Sequence, residues 1–109
     1  MKELLRQVRV IDPTTQCDRQ ADVLIIDGQI SAIADSFTDY PPDTNIRDCQ
    51  EMVLAPGLID LYSHSGEPGF EERETLSSLM KAAAAGGFTR VAVLPDTTPA
   101  IDQSASVTW

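Results

Sequence analysis

Two apolar runs, "LIDLYSH" beginning at Leu58 and "TRVAVLP" beginning at Thr89, flank a segment that closes on "MKAAAA" and Gly86-Gly87. No other feature narrows the possible folds as far. A continuous apolar run of this kind reads as a strand covered on both faces. The stretch 71–85 is helical in composition, with acidic residues in its expected first turn, and the paired glycines supply its C-terminal stop. Strand, helix and strand within about forty residues predict a βαβ unit, with parallel pairing and a right-handed crossover.

The preceding half reads as β structure. "QVRVID" is a short strand, followed by the turn-rich link "DPTTQCDRQ". In "ADVLIIDGQISAIA", Asp27-Gly28 separates two β-branched runs, the favoured pair for a tight two-residue hairpin. "DSFTDYPPDTN" is a polar loop with two prolines, and "EMVLAP" a further strand. Three or four strands without a helix predict a small sandwich-like β unit over 1–55, with the strand-helix-strand part over 56–109. At the far end, "DTTPAIDQSASVTW" gives a proline turn and an N-cap at Ser104, opening a helix that stops before one turn is complete. Two parallel strands with one covering helix leave a face and edges open to water. The expectation is therefore a piece of a larger protein, or a short one that covers itself by oligomerising.

Composition narrows the partners. The chain has 109 residues, 17 acidic and 8 basic, with a formal charge of −9. Nucleic acid is excluded as a partner, because phosphate binding needs a Lys/Arg footprint. There is no apolar run of about 18 residues to span a membrane, and the N-terminus lacks the apolar core of a signal peptide. Cys17 and Cys49 read as free thiols in a reducing cytoplasm.

The chemistry centres on the only histidine, His64, at the end of the "LIDLYSH" strand. Side chains two apart on a strand share a face, so Tyr62, His64 and Gly66 point to one side if the backbone stays extended. A His-x-His pair there would suit zinc, but this chain offers Tyr-x-His. A phenol, with an ordinary pKa of about 10, must lose a proton before it can ligate. The competing reading is a hydrogen-bonded strand-end histidine beside a tyrosine that fills space. No G-x-S-x-G elbow is present, and the glycines of "AAGGFT" end a helix where a phosphate loop would open one.

Taken together, "ADVLIIDGQISAIA", "LAPGLIDLYSHSGEPGFEERETL" and "AAAAGGFTRVAVLPDTTPAID" resemble the N-terminal part of the dihydroorotases, in the cyclic amidohydrolase superfamily. The resemblance implies an α/β fold: the N-terminal β-sandwich-like part of an amidohydrolase, then the first βαβ unit of an incomplete (β/α)8 barrel. It implies the reversible hydrolysis of dihydroorotate to N-carbamoyl-aspartate in pyrimidine biosynthesis, with zinc as the metal and hydroxide as the nucleophile. The family motif His-x-His-x-Arg-Glu-Pro-Gly stands here as Tyr62-Ser63-His64-Ser65-Gly66-Glu67-Pro68-Gly69. By that resemblance His64 is the metal ligand that carries over, and Tyr62 replaces the first ligand. Gly66 replaces the arginine that holds the substrate carboxylate, and Asp96 replaces a substrate-contacting asparagine. No catalytic residue is assigned, since the proton-moving aspartate and the other ligands belong to later strands. The 109-residue chain alone is expected to be inactive. The implied partners are a small-molecule substrate and either a second copy or a pyrimidine-pathway transferase. Two other readings stay open: a non-catalytic scaffold subunit, and a cyclic amidohydrolase with a less anionic substrate.

Overall fold

The computed structural model describes residues 1–106. The chain divides into two compact units, Met1–Pro56 and Gly57–Trp109. The first is built from β1 (Lys2–Asp12), β2 (Cys17–Ile26), β3 (Gln29–Ala34), β4 (Asn45–Asp48) and β5 (Val53–Leu54). They form one five-stranded sheet in the order β3-β2-β1-β4, with β5 also on β1. Within this unit the sheet is mixed. β1 pairs antiparallel with β2 and parallel with β4 and β5. Its apolar cluster is Val8, Val10, Ala21, Val23 and Cys49. Both cysteines are free thiols.

The hairpin falls where the sequence puts it. β2 ends at Ile26, β3 starts at Gln29, and Asp27 and Gly28 take φ of 49° and 77°. Two positive φ values in succession suit the right-handed strand twist. Elsewhere the strands differ from expectation. β1 is longer than "QVRVID", since Lys2 to Leu5 pair with β2 as well, and the link to β2 shortens to 13–16. β4 was hidden by its single large apolar residue, Ile46, with Arg47 and Asp48 beside it. A bulge interrupts β1 between Leu5 and Val8, where Gln7 has φ 55°. The bulge aims the Gln7 N–H at the carboxylate of Asp22, 2.9 Å away.

The second unit contains β6 (Leu58–Ser63), α1 (Leu76–Ala85) and β7 (Phe88–Val93), with a 3-10 turn at Ser104–Ser106. β6 and β7 pair in parallel, as strand-helix-strand patterning requires. The helix starts five residues later than its composition suggested. Thr75 is the N-cap, its side chain accepts from the Ser78 N–H, and Ser78 completes a capping box. The acidic residues at 71, 72 and 74 lie in the preceding turn. Gly86 caps the C-terminus and Gly87 leaves with φ 83°, as the paired glycines foretold. The N-cap expected at Ser104 is part of the 3-10 turn, and the helix expected beyond it runs outside the described residues.

Among the described residues, the buried leucine, valine and alanine side chains belong to the first unit. In the second unit Leu58, Ile59 and Leu61 of β6 are exposed, and α1 buries no residue. The double covering expected for "LIDLYSH" is therefore absent among the described residues. No described helix is long and apolar enough to cross a membrane.

Candidate functional site

The site forms where the two parallel strands end. The Asp60 carboxylate accepts the Tyr62 N–H at 2.9 Å and the Ser63 hydroxyl at 2.7 Å. These two donors, the Tyr62 N–H first, hold its carboxyl below the usual carboxylate range. β6 stops at Ser63, and His64 is the next residue. The Leu94 N–H donates to the Ser63 carbonyl at 2.9 Å, which keeps the outgoing chains side by side. Residues 32 apart in sequence then meet: His64 Nδ1 lies 2.6 Å from Asp96 Oδ2. Parallel pairing is the reason, because it brings both C-terminal strand ends to the same edge. The Tyr62 ring stands edge-on to the imidazole, with centroids 5.6 Å apart and planes at 87°. Tyr62 is 70% exposed.

The loop after His64 is tightly closed. The Ser65 hydroxyl donates to the Glu67 carbonyl at 3.0 Å and accepts the Glu67 N–H at 3.1 Å. The Phe70 N–H donates to the Gly66 carbonyl at 2.6 Å. A Cβ at position 66 would collide with the carbonyl oxygens of Phe70 and Glu74, so only glycine fits there. The Glu67 carboxylate accepts the Leu76 N–H at 2.8 Å, satisfying one of the free donors that open α1. The Gly69 N–H donates to Glu71 at 2.9 Å and is the main reason that the Glu71 carboxyl sits below its ordinary range. On the β7 side, the Thr98 N–H reaches the Pro68 carbonyl at 3.0 Å. His64, Ser65, Gly66, Arg73 and Glu74 line a cavity of about 250 Å³.

Tyr62, His64 and Asp96 thus come together, and Gly66 shares a cavity wall with His64. The sequence reading missed three residues here. Arg73 and Glu74 reach the cavity only through the loop's closure, a long-range outcome without a local pattern. Glu67 could have been suspected, since an acid shortly before a helix is a common N-terminal partner. The Asp96 carboxylate faces the imidazole.

The donor set does not by itself make a metal centre. Among the described residues no three His, Cys, Asp or Glu side chains gather as a cation site. One nitrogen of His64 is taken by Asp96, and Tyr62 offers a phenol. Zinc generally requires three or four ligands.

In fold, the chain is similar to the L-hydantoinase (dihydropyrimidinase) of Arthrobacter aurescens, with a TM-score of 0.81 and 23% identity. That match covers 95% of this chain and 23% of the hydantoinase. It is also similar to a prolidase structure, with a TM-score of 0.64 and 20% identity. These likenesses define the fold class: a mixed α/β, mostly stranded fold shared with the hydantoinase and prolidase structures. In sequence, the dihydro-orotase-like family model matches residues 51–109. The dihydroorotase of Syntrophus aciditrophicus is 47% identical over 94% of this chain and 24% of its own length. A probable dihydroorotase-like protein of Synechocystis is 45% identical over 94% of this chain and 23% of its own length. The chain belongs to the dihydroorotase-like family, and it spans about a quarter of the length of these curated relatives.

Proposed function

We propose that the chain is the N-terminal portion of a dihydroorotase-type cyclic amidohydrolase, acting in the pyrimidine pathway on dihydroorotate. The observation that carries this reading is the family match together with identities of 45% and 47% to relatives about four times longer. On this reading residues 1–55 contribute to a sandwich-like domain and 56–109 supply the first strand-helix-strand of a TIM-type barrel. The exposed apolar residues of β6 support it, since barrel strands are buried on both faces. Further strands of the same protein would cover them, or a second copy or a pathway transferase would. Two cysteines, Cys17 and Cys49, without close pairing favour a reducing cytoplasm.

Of the site residues, His64 supplies one imidazole, and Tyr62, Gly66 and Asp96 face the substrate region. Zinc in such an enzyme would polarise a carbonyl and activate water. It would need donors beyond those this chain holds, so the 109-residue chain alone is inactive. A second reading, a less anionic substrate, is favoured by one observation: position 66 is closed to any side chain, including the arginine of the resembled motif.

The test is turnover of dihydroorotate and of an uncharged cyclic amide, with and without a chelator, by the 109-residue chain and by the longer protein. Chelator-sensitive dihydroorotate hydrolysis by the longer protein alone is expected. Turnover of only the uncharged amide would replace dihydroorotate as substrate. Turnover of neither would leave the scaffold reading.

A further inference from the structure

His64 and Asp96 lie outside every regular element, yet the backbone on either side of them is tied together. The strand ends are joined by the Leu94 N–H to the Ser63 carbonyl, 2.9 Å away. Beyond them the Thr98 N–H joins the Pro68 carbonyl at 3.0 Å. The Tyr62 ring stands against the imidazole edge-on. Within this frame a single atom pair, Nδ1 and Oδ2 at 2.6 Å, sets the imidazole's orientation.

We infer that Asp96 is a positioning residue that fixes the tautomer of His64, placing the proton on Nδ1 and leaving Nε2 as the bare acceptor. An ionised carboxylate has acceptor sites only, so the hydrogen in this bond comes from the imidazole. A neutral imidazole carries one N–H, and a proton on Nδ1 leaves the lone pair at Nε2. The hydrogen bond to one ring nitrogen decides how the other is used, both in proton transfer and in metal ligation. An asparagine at position 96 would not decide it, because its amide offers both donors and an acceptor and accommodates either tautomer. The carboxylate at this position therefore directs Nε2 of the chain's only histidine to the work of the site. The inference rests on the dihydroorotase-like reading only in taking His64 for a functional side chain. The tautomer itself is independent of substrate.

Because there is one histidine, 15N labelling of the imidazole reports on this ring alone. The measurement is the pair of ring-nitrogen shifts of the 109-residue chain at about pH 8.5, two units above ordinary histidine titration. The expected result is a pyrrole-type Nδ1 and a pyridine-type Nε2, with Nδ1–H in roughly tenfold excess, the scale of a hydrogen bond to a charged group. Asp96→Asn should abolish that excess, and Asp96→Glu should restore part of it, with amide spectra reporting that both variants keep the fold. A wild-type ring with its proton on Nε2 overturns the inference, whether or not either variant folds. An unchanged ring in a folded Asp96→Asn protein does the same. Absence of turnover with the Nδ1–H form intact would sink the hydrolase reading and leave this one standing.

Discussion

Asp22 and Gly66 show how much rests on single residues. Asp22 is 1% exposed, and its carboxylate accepts from the backbone N–H groups of Gln7 and Phe37 and from the Gln7 side chain. Burial pushes this carboxyl up; the two backbone donors, the Gln7 amide and the Arg6 charge pull it further down, so it sits below the usual range. A depressed carboxyl stabilises the fold at pH above its unfolded value, about 3.9, and that contribution is lost as pH falls through the folded value. Denaturant titrations across this window should show stability falling below about pH 4, with a flatter fall in Asp22→Asn. Asp22→Ala should cost roughly 2–4 kcal/mol at neutral pH, because buried N–H groups lose their acceptor. A loss below about 0.5 kcal/mol, the scale of an ordinary surface change, would refute the role given to Asp22. At position 66, Gly66→Ala forces a methyl against two carbonyl oxygens. It should destabilise by roughly 1–3 kcal/mol, and Gly66→Arg should fail to improve binding of a carboxylate substrate. Neither residue could be weighed from sequence. Asp22 reads as one polar position in "ADVLII", and Gly66 as the replacement for an arginine, until the bulge at Gln7 and the carbonyls of Phe70 and Glu74 are in place.

Among the elements, α1 is held at its ends more than along its length. It buries no residue, while Thr75, Ser78 and Glu67 satisfy its first N–H groups. Isolated helices of this length are marginal in water, so the caps matter more than usual. Thr75→Ala should lower helix stability by about 1 kcal/mol, read as lost helical dichroism in the intact chain. Amide hydrogen exchange should be fast across Leu76–Ala85 and slow in β1 and β2, which enclose the apolar cluster. Equal protection in both would contradict the view that the helix depends on its caps. The helix stop and the Asp27-Gly28 hairpin were legible because each depends on residues a few positions apart. The helix start was misplaced because Glu71, Glu72 and Glu74 imitate an acidic first turn, whereas the capping box at Thr75 sets the boundary. β4 escaped notice because its partner is β1, some forty residues earlier, and Ile46 is its only large apolar residue.

For the whole molecule, the contrast lies between a first unit with an aliphatic cluster and a second whose strands show Leu58, Ile59, Leu61 and Tyr62 to water. Exposed apolar strands attract other chains. Sedimentation of the isolated chain should show concentration-dependent self-association, weakened by Leu61→Lys on β6. A monomer at every concentration would refute this. What could be settled along the chain is what neighbouring residues encode: strand against helix, the glycine hairpin, the parallel order of β6 and β7, and the family motifs. What needed the folded chain is every contact across it: Asp96 on His64, the closed loop over Gly66, and Gln7 and Phe37 on Asp22. The physical reason is range. Hydrophobic periodicity and turn chemistry act over a few residues, but which side chains meet at a strand end depends on register and loop closure, which follow only when distant segments pack.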